Sequence, residues 1–401
     1  MGTALTRRSS IAWKDQSAFA TTDTGGSGFA GAEVGIPSLS PALAVMVRDS
    51  LRSGHYTLIP VTGSQYGGTL TIPIPLAGVL ATIPTADPTA TFWSKILKQI
   101  LGGQSIGGYS AAAVTGGTPS TVGIDNAILS SIYSAGGAIV TKATDGTYML
   151  AVLKTVTDGG VSDHELETLA PMAANPDGSD VSWGAINSYA SDDAPVAMTI
   201  ELQTQNAAGK IVCGGCIAQT VKIPLGPRVA PMIEVTFVIN EIHVISGAAL
   251  SATGYTLPLL SPPTKAAGGR ATLGSSTVRF HDLTLELSQT LEPEDDHNSS
   301  QGVADVTATE RKQLLTYTRL LTGAPTDLDA LTTRDPIVVA FGTQPGRMFG
   351  FAMPAPVLIA AASLEANGNR WAQTFKCEAG QYTGDSASTG PGNSAFRAYQ
   401  A

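Results

Sequence analysis

A pattern that occurs twice limits the folds open to this chain. In the first half a strand-like run from Met198 (MTIELQ) leads to Gly209-Lys210-Ile211, and further runs start at Val221 (VKIPL) and Ile233 (IEVTF). In the second half a run from Ile337 (IVVAF) leads to Gly346-Arg347-Met348, followed by runs at Val357 (VLIA) and Trp371 (WAQTF). Strand, glycine–basic–apolar turn, strand, strand therefore recurs at similar spacing. Short β-branched runs bounded by Gly and Pro read as strands. Their repetition points to a mainly β chain of two related modules, each a small sandwich or barrel.

The remaining segments are placed around this repeat. Residues 1–45 are rich in Gly, Ser, Thr and Ala and read as an extended amino-terminal arm. A first module is expected over 46–245, a second over 246–385, and a loose carboxyl-terminal tail over 386–401. Strands are expected at 56–61, 69–74, 138–140, 148–156, 196–203, 210–223, 232–244, 278–287, 303–308, 314–320, 337–342, 347–351, 357–364 and 371–377. The clearest helix is 89–101, where Phe92, Trp93, Ile96, Leu97, Ile100 and Leu101 form one stripe and Gly102 ends it. A second helix is expected at 125–133. Aromatic stripes at this spacing build core.

Charge is scarce. Charged residues are 14% of the chain against a usual ~25%. Interface cores are depleted in charge, so the composition fits either a surface largely covered by other copies or a Ser/Thr/Gly-rich soluble β protein. Net charge is −9, which argues against a conventional nucleic-acid binder. Residues 155–209 hold nine acids and neither Lys nor Arg. The acids are Asp158, Asp163, Glu165, Glu167, Asp177, Asp180, Asp192, Asp193 and Glu201, and the stretch reads as an acidic insertion, either a solvated loop or a surface that repels an anion. The amino terminus shows no apolar export segment. Met1 to Thr6 matches a myristoylation pattern that is short enough to arise by chance. No apolar run is long enough to cross a membrane as a helix.

Catalytic and cofactor motifs do not hold together. Gly26-Ser27-Gly28-Phe29-Ala30-Gly31 spells GxGxxG, but it lacks the buried strand before it and the helix after it that a dinucleotide site needs. It reads as linker. Cys213-Gly-Gly-Cys216 lies in a strand-like run rather than at a helix N-terminus, and Cys377 is the only other cysteine. These thiols read as small apolar fillers rather than redox or zinc ligands. Asp163-His164-Glu165 and Asp295-Asp296-His297 place carboxylates beside histidine, yet no GxSxG nucleophile accompanies them. Asp177 to Asp180 has too few ligands for a calcium loop. No catalytic, cofactor or metal site is expected.

Residues 278–311, VRFHDLTLELSQTLEPEDDHNSSQGVADVTATER, resemble the major tail tube proteins of long-tailed bacteriophages. A strand ending Leu285-Glu286-Leu287 leads into a polar loop with Asp295, Asp296 and Asn298. Gly302 and a strand up to Arg311 follow. The helix around 93–101, the segment 144–148 and the strands at 198–203 and 213–223 keep the order of that family. The resemblance spans about 46–385. It implies duplicated sandwich modules with a flanking helix, assembling into stacked rings. Each ring would hold three chains with pseudo-sixfold symmetry, with six chains as the alternative. It further implies a hollow tube that encloses a tape-measure protein, meets terminator and distal tail proteins and passes DNA without binding it specifically. The expected location is the virion tail, assembled in the host bacterial cytoplasm. Ring-to-ring contacts are expected from Glu292, Glu294, Asp295, Asp296, His297 and Asn298, and the acids of 155–193 are expected at the lumen or surface. The other readings are a capsid decoration or adhesion protein and, more remotely, a β-rich hydrolase.

Overall fold

The computed structural model describes residues 9–17, 19, 22, 27–50, 57–75, 91–106, 112–125, 133–178, 181–203, 209–225, 232–252, 255–256, 270–278, 280–295, 303–320, 332–342, 344, 346, 348–361, 365–367, 370–387 and 390–401. Side chains at 42–50, 57–66, 112, 181, 183, 255–256, 281 and 295 lie outside the description.

The protein is mainly β. The chain opens with β1 (Ser9–Asp15), β2 (Ala30–Val34), β3 (Ser38–Ser50), β4 (Thr57–Pro75) and α1 (Phe92–Leu101). Next come β5 (Gly102–Ile106), β6 (Ala112–Thr118), β7 (Thr121–Ile124), β8 (Ala138–Lys142), β9 (Tyr148–Thr157), β10 (His164–Thr168), β11 (Val181–Gly184) and β12 (Ile186–Ala190). The first half ends with β13 (Met198–Gln203), β14 (Gly209–Pro224), β15 (Met232–Ile239), β16 (Glu241–Ser246) and the short β17 (Tyr255–Thr256). The second half holds β18 (Arg270–Leu273), β19 (Ser276–Thr277), β20 (Phe280–Asp295), β21 (Val303–Leu320) and β22 (Ile337–Phe341). It closes with β23 (Phe349–Met353), β24 (Pro356–Ala361), β25 (Glu365–Asn367), β26 (Arg370–Ala379) and β27 (Arg397–Gln400).

The two halves pair their strands in the same order. One continuous antiparallel layer runs β3-β4-β15-β14-β20-β21-β26-β24. It falls into two blocks, β3-β4-β15-β14 and β20-β21-β26-β24. Each block starts with a long hairpin, then the last strand of the set, then the third. The blocks join through β14 and β20, from Thr220 opposite Ser288 to Pro224 opposite Thr284. Bulges recur at matching places. The β14–β15 register shifts between Ala218 and Thr220, and the β24–β26 register shifts between Leu358 and Ala360. A second layer repeats likewise, as β2-β1-β13-β14-β16 in one half and β19-β18-β22-β23-β27 in the other.

The pairings also correct the alignment drawn from the sequence. Leu358 and Cys377 stand opposite each other 140 residues after the facing pair Ala218 and Phe237. Val221 therefore corresponds to Ala361, not to Val357. Ile233 corresponds to Gln373, not to Trp371. A bulge shifts the alternation without changing composition, which hides the register from a sequence pattern.

Alternation explains the core. Along β4, Leu70, Ile72 and Ile74 are buried, while Thr69, Thr71 and Pro73 between them are not. Val221, Ile223, Val235, Phe237, Leu285, Leu287, Leu315 and Phe375 complete the inward face and pack with Ile200, Val339 and Phe351 of the second layer. Helix α1 lies in this core. Thr91 caps it, its Oγ1 accepting from the Ser94 N–H at 3.2 Å, and Gly102 ends it at φ +98. Phe92 meets Trp13 and Phe237 at ring separations of 5.5 and 6.4 Å, while Trp93 meets Phe349 of the other half at 6.4 Å.

Between α1 and β13 the first half carries an added unit. β5 and β12 extend the second layer beyond β27. Between them a closed six-stranded barrel runs β10-β7-β6-β11-β8-β9. Its interior holds Val122, Ile124, Ile139, Leu153 and Leu166. Its outside packs Val140, Leu150 and Val152 on Met348, Ala352 and Tyr399. The barrel thus sits on the second layer, away from the outward face of the eight-stranded layer.

Several expectations are overturned. The amino-terminal arm is built in: β1 lies between β2 and β13, with Ile11 and Ala12 fully buried. The expected loose tail contains β27, an inner strand between β12 and β23. Residues 155–209 are not one insertion. They supply parts of the barrel, of the seven-stranded sheet through β12, and of the second layer through β13. The strands expected at 56–61 and 69–74 are one strand, β4, as are 303–308 and 314–320 in β21. Ala30 and Gly31 of the GxGxxG segment belong to β2, with no helix following. Of the second expected helix, residues 126–132 lie outside the described residues.

Candidate assembly surfaces

The outward face of the eight-stranded layer is polar. Lys222 stands opposite Glu234 on one side and Glu286 on the other. Thr318 and Thr374 share a hydrogen bond at 2.9 Å, and Thr71 and Thr236 one at 3.4 Å. Positions in phase with these add Asp282 and Glu378 against Lys312 and Lys376. The face is rich in Thr and nearly balanced in charge. None of the described acids among those expected at a lumen or surface lies on it. Asp158, Asp163, Glu165 and Glu167 are on the barrel around β9 and β10, and Asp177 is at the bridge between Ala143 and Pro176. Asp192 and Asp193 follow β12. Asp180 lies outside the described residues.

Two edges of this layer have no strand partner among the described residues: β3, paired only with β4, and β24, paired only with β26. From Pro356 to Ala361, β24 carries no charge. Ile359 is 46% exposed, and Trp371 on the neighbouring strand is 58% exposed. Natural edges are normally blunted by charge, and the side chains of this one supply none.

Two hairpin arms extend from one end of the layer. β15 covers only Gly68–Pro75 of β4, and β26 covers only Leu314–Leu320 of β21. Beyond those limits the hairpin strands pair, among the described residues, only with each other. The alternating strand directions put both extensions at the end where β14 bends. In the second arm Val306 packs with Phe19, Ala197 and Ile217. Glu292 and Glu294 are exposed there, and Glu294 accepts from the Thr307 hydroxyl at 2.9 Å. Asp295 ends β20. Asp296, His297 and Asn298 lie outside the described residues.

The base of the second arm is a fork in the sheet. On the same edge of β14, β13 pairs with its first part and β20 with its second. Backbone groups near the fork would lack partners, and three glutamines supply them. Gln99 accepts from the Ala218 N–H at 3.1 Å and donates to Cys216 O at 3.2 Å and to Val196 O. Gln289 donates to Ala218 O at 2.5 Å. Gln16 accepts from the Gly215 N–H at 2.7 Å. Arg311 then reaches from Gln289 to the carbonyls of Ser191 and Asp193, the latter at 2.6 Å. Burial pulls its guanidinium pKa down, and Asp192 and Asp193 oppose that shift. Asp192 and Asp193, far away in sequence, thereby meet the arm that carries Glu292 and Glu294. No short motif marks these glutamines. Only the pairing explains them.

The Cys213–Cys216 segment is the bend itself. Gly215 has φ +63, and a Cβ there would lie 2.5 Å from Asn240 Cβ. Both thiols are buried, and Cys216 donates to Cys213 O at 3.2 Å. Burial pushes the Cys213 thiol up to about 12 and Cys216 well above its usual range. His164 is turned inward by strand alternation, with the Gly159 N–H donating to its Nδ1 at 3.1 Å, while Asp163 and Glu165 face out. Among the described residues no cluster of three His, Cys, Asp or Glu side chains could hold a metal ion. No known family model matches the chain, and a comparison with curated proteins returns no match.

Proposed function

We propose that this chain is a non-enzymatic structural subunit, the major tail tube protein of a long-tailed bacteriophage, with two duplicated modules per chain. The observation that carries this reading is the repeated four-strand block. Inside the chain, the third strand of the first block pairs with the first strand of the second. The same third strand of the second block, β24, and the same first strand of the first block, β3, are the two open edges. Repeating the internal junction between chains would join them head to tail, and a rotation that closes would make a ring.

The junction predicts a register. Leu70 faces Phe237 as Leu315 faces Cys377, so their hairpin partners Leu39 and Leu285 correspond. Thr220 opposite Ser288 then becomes Ala360 opposite Ala42 of the next copy. Three copies give about 24 strands; at ~4.8 Å each they enclose a backbone cylinder about 37 Å across. Two copies give about 24 Å, too narrow for a duplex once side chains line it. The Thr-rich, charge-balanced face would line this lumen, offering phosphates little to hold. The barrel would lie outside. The arms would reach the next ring, and tape-measure, terminator and distal tail proteins would meet the tube's interior and ends. The protein would be made in the bacterial cytoplasm and function in the virion.

An Ala42→Cys, Ala360→Cys double variant tests the reading. After oxidation, denaturing gels should show a covalent trimer, neither single variant should give one, and electron micrographs should show hollow tubes. The protein is not a tube subunit if only discrete particles form and no crosslink appears. That result favours a decoration or adhesion protein, for which the outer barrel would be the binding unit.

A further inference from the structure

A cavity of about 70 Å³ lies between the outside of the barrel and the second layer of the second half. Leu150 and Val152 of β9 and Pro171 wall it on one side, and Val338 and Ala340 of β22 wall it on the other. Arg270 of β18 is the one charged residue among those that line it. Ala271 and Leu273 pack on the core, so strand alternation turns Arg270 and Thr272 out toward the barrel, beside Ala340 and Val338. No acid among the described residues pairs with Arg270. One of its terminal nitrogens donates to the exposed Thr277 hydroxyl at a long 3.4 Å, which places the guanidinium at the rim of the cavity. Burial, with no acid to oppose it, pulls the guanidinium pKa down. The hydroxyls of Thr147 and Thr272 donate to Asp145 at 2.6 Å and to the Val338 carbonyl at 3.4 Å. The cavity therefore combines aliphatic walls with one cation that lacks its anion.

We propose that this cavity binds a short-chain aliphatic carboxylate, its head on the Arg270 guanidinium and its tail between Leu150, Val152 and Val338. A guanidinium presents paired N–H groups whose spacing matches the two oxygens of a carboxylate. The volume sets the tail. An apolar cavity of about 150 Å³ holds benzene, so this one has room for about three carbons. With the carboxylate at the rim, that is an acid the size of butyrate. Other ligand classes fit worse. A phosphate would give up its hydration against aliphatic walls that offer no second cation. A neutral alcohol or amide of the same size would leave Arg270 uncompensated. The cavity is formed within one chain and uses neither open edge and neither arm, so the proposal stands apart from the tube reading.

Saturation-transfer NMR and titration calorimetry on the full chain test the site, with sodium butyrate and sodium isobutyrate as probes and butyramide and sodium phosphate as controls. At least one of the two acids should bind with a millimolar Kd, and the controls should bind about tenfold more weakly or not at all. Arg270→Met keeps the aliphatic stem and should weaken the acid about tenfold or more. Because Arg270 has no acid to lose, circular dichroism should show this variant melting no lower than the parent, which an arginine holding an internal ion pair would not allow. Ala340→Leu fills the cavity from the opposite wall and should abolish binding with Arg270 in place; if it misfolds, Arg270→Met carries the test. The proposal fails if neither acid binds, if butyramide or phosphate binds as well as the acids, or if binding survives Arg270→Met. It fails equally if Arg270→Met lowers the melting temperature, because Arg270 would then have its partner inside the protein.

Discussion

Replacing Gln99 with leucine tests whether the fork at β14 is held by side-chain hydrogen bonds. Leucine keeps most of the volume and the helix propensity, so α1 itself should persist. What it removes is the partner of the Ala218 N–H and of the Cys216 carbonyl, both on β14 beneath the helix, together with a bond to the Val196 carbonyl. Each buried group left without a partner costs about 1–3 kcal/mol. Val196 is 40% exposed, so water can replace its bond, and two groups carry the loss. The expected destabilisation is about 3 kcal/mol, since the leucine no longer buries an amide. Urea unfolding followed by tryptophan fluorescence reads this out, with an unchanged slope showing that the unfolding unit is the same. Gln289→Leu removes the partner of the Ala218 carbonyl on the same residue, so the double variant should show a coupling energy of at least about 0.5 kcal/mol. A loss below about 1 kcal/mol with no coupling would refute the argument, because the backbone at the fork would then be satisfied in some other way.

Two further outcomes follow from buried groups. Lys210 and Glu201 form an ion pair at 2.5 Å with both side chains at most 5% exposed, and Ser251 donates to the same carboxylate through its N–H at 2.7 Å. Lys210→Met leaves that carboxylate uncompensated and should cost about 3–5 kcal/mol in urea titrations, whereas adding Glu201→Gln should recover most of the loss. Cys213, Cys377 and Tyr382 are each pushed up to about 12 by burial, from ordinary values of 9, 9 and 10. The folded protein keeps these protons while the unfolded chain releases them, so stability should fall as pH rises from about 9 toward 12. Native thiols should correspondingly resist a disulfide reagent at pH 8 and react only in urea.

Some of this architecture was legible from residues alone. Six apolar side chains at helical spacing located α1, and short apolar runs located β26 and one strand over 232–244 that the structure divides into β15 and β16. The similar strand order of the two halves was visible because both kept the same order of runs. Elsewhere short-range pattern carried too little. β1 is a seven-residue run inside a Gly- and Ser-rich lead-in, and its partner Leu202 lies far along the chain from Ile11. β27 gains its meaning only from strands at 186–190 and 349–353. The barrel escaped notice because most of its strands are short and its acids lie both in loops and on β10, so composition reads as a loop-rich insertion. Balanced charge on the outward face of the eight-stranded layer was invisible for a similar reason. Lys222, Glu234 and Glu286 become neighbours only once the register is set.

The two halves differ in how their layers are joined. In the first, β14 is a single strand that passes from one layer into the other through a glycine bend braced by glutamines. In the second, β23 and β24 are separate strands linked by Pro354 and Ala355, flanked by a second proline at Pro356. A shear between layers in the first half must break hydrogen bonds along a continuous strand. In the second half it can be taken up by rotation at a short link, where the prolines offer no N–H to lose. A closed assembly of such chains would alternate stiff and compliant sectors around its circumference. It would absorb bending or the passage of a bulky cargo at the compliant sectors, while the stiff ones kept its diameter.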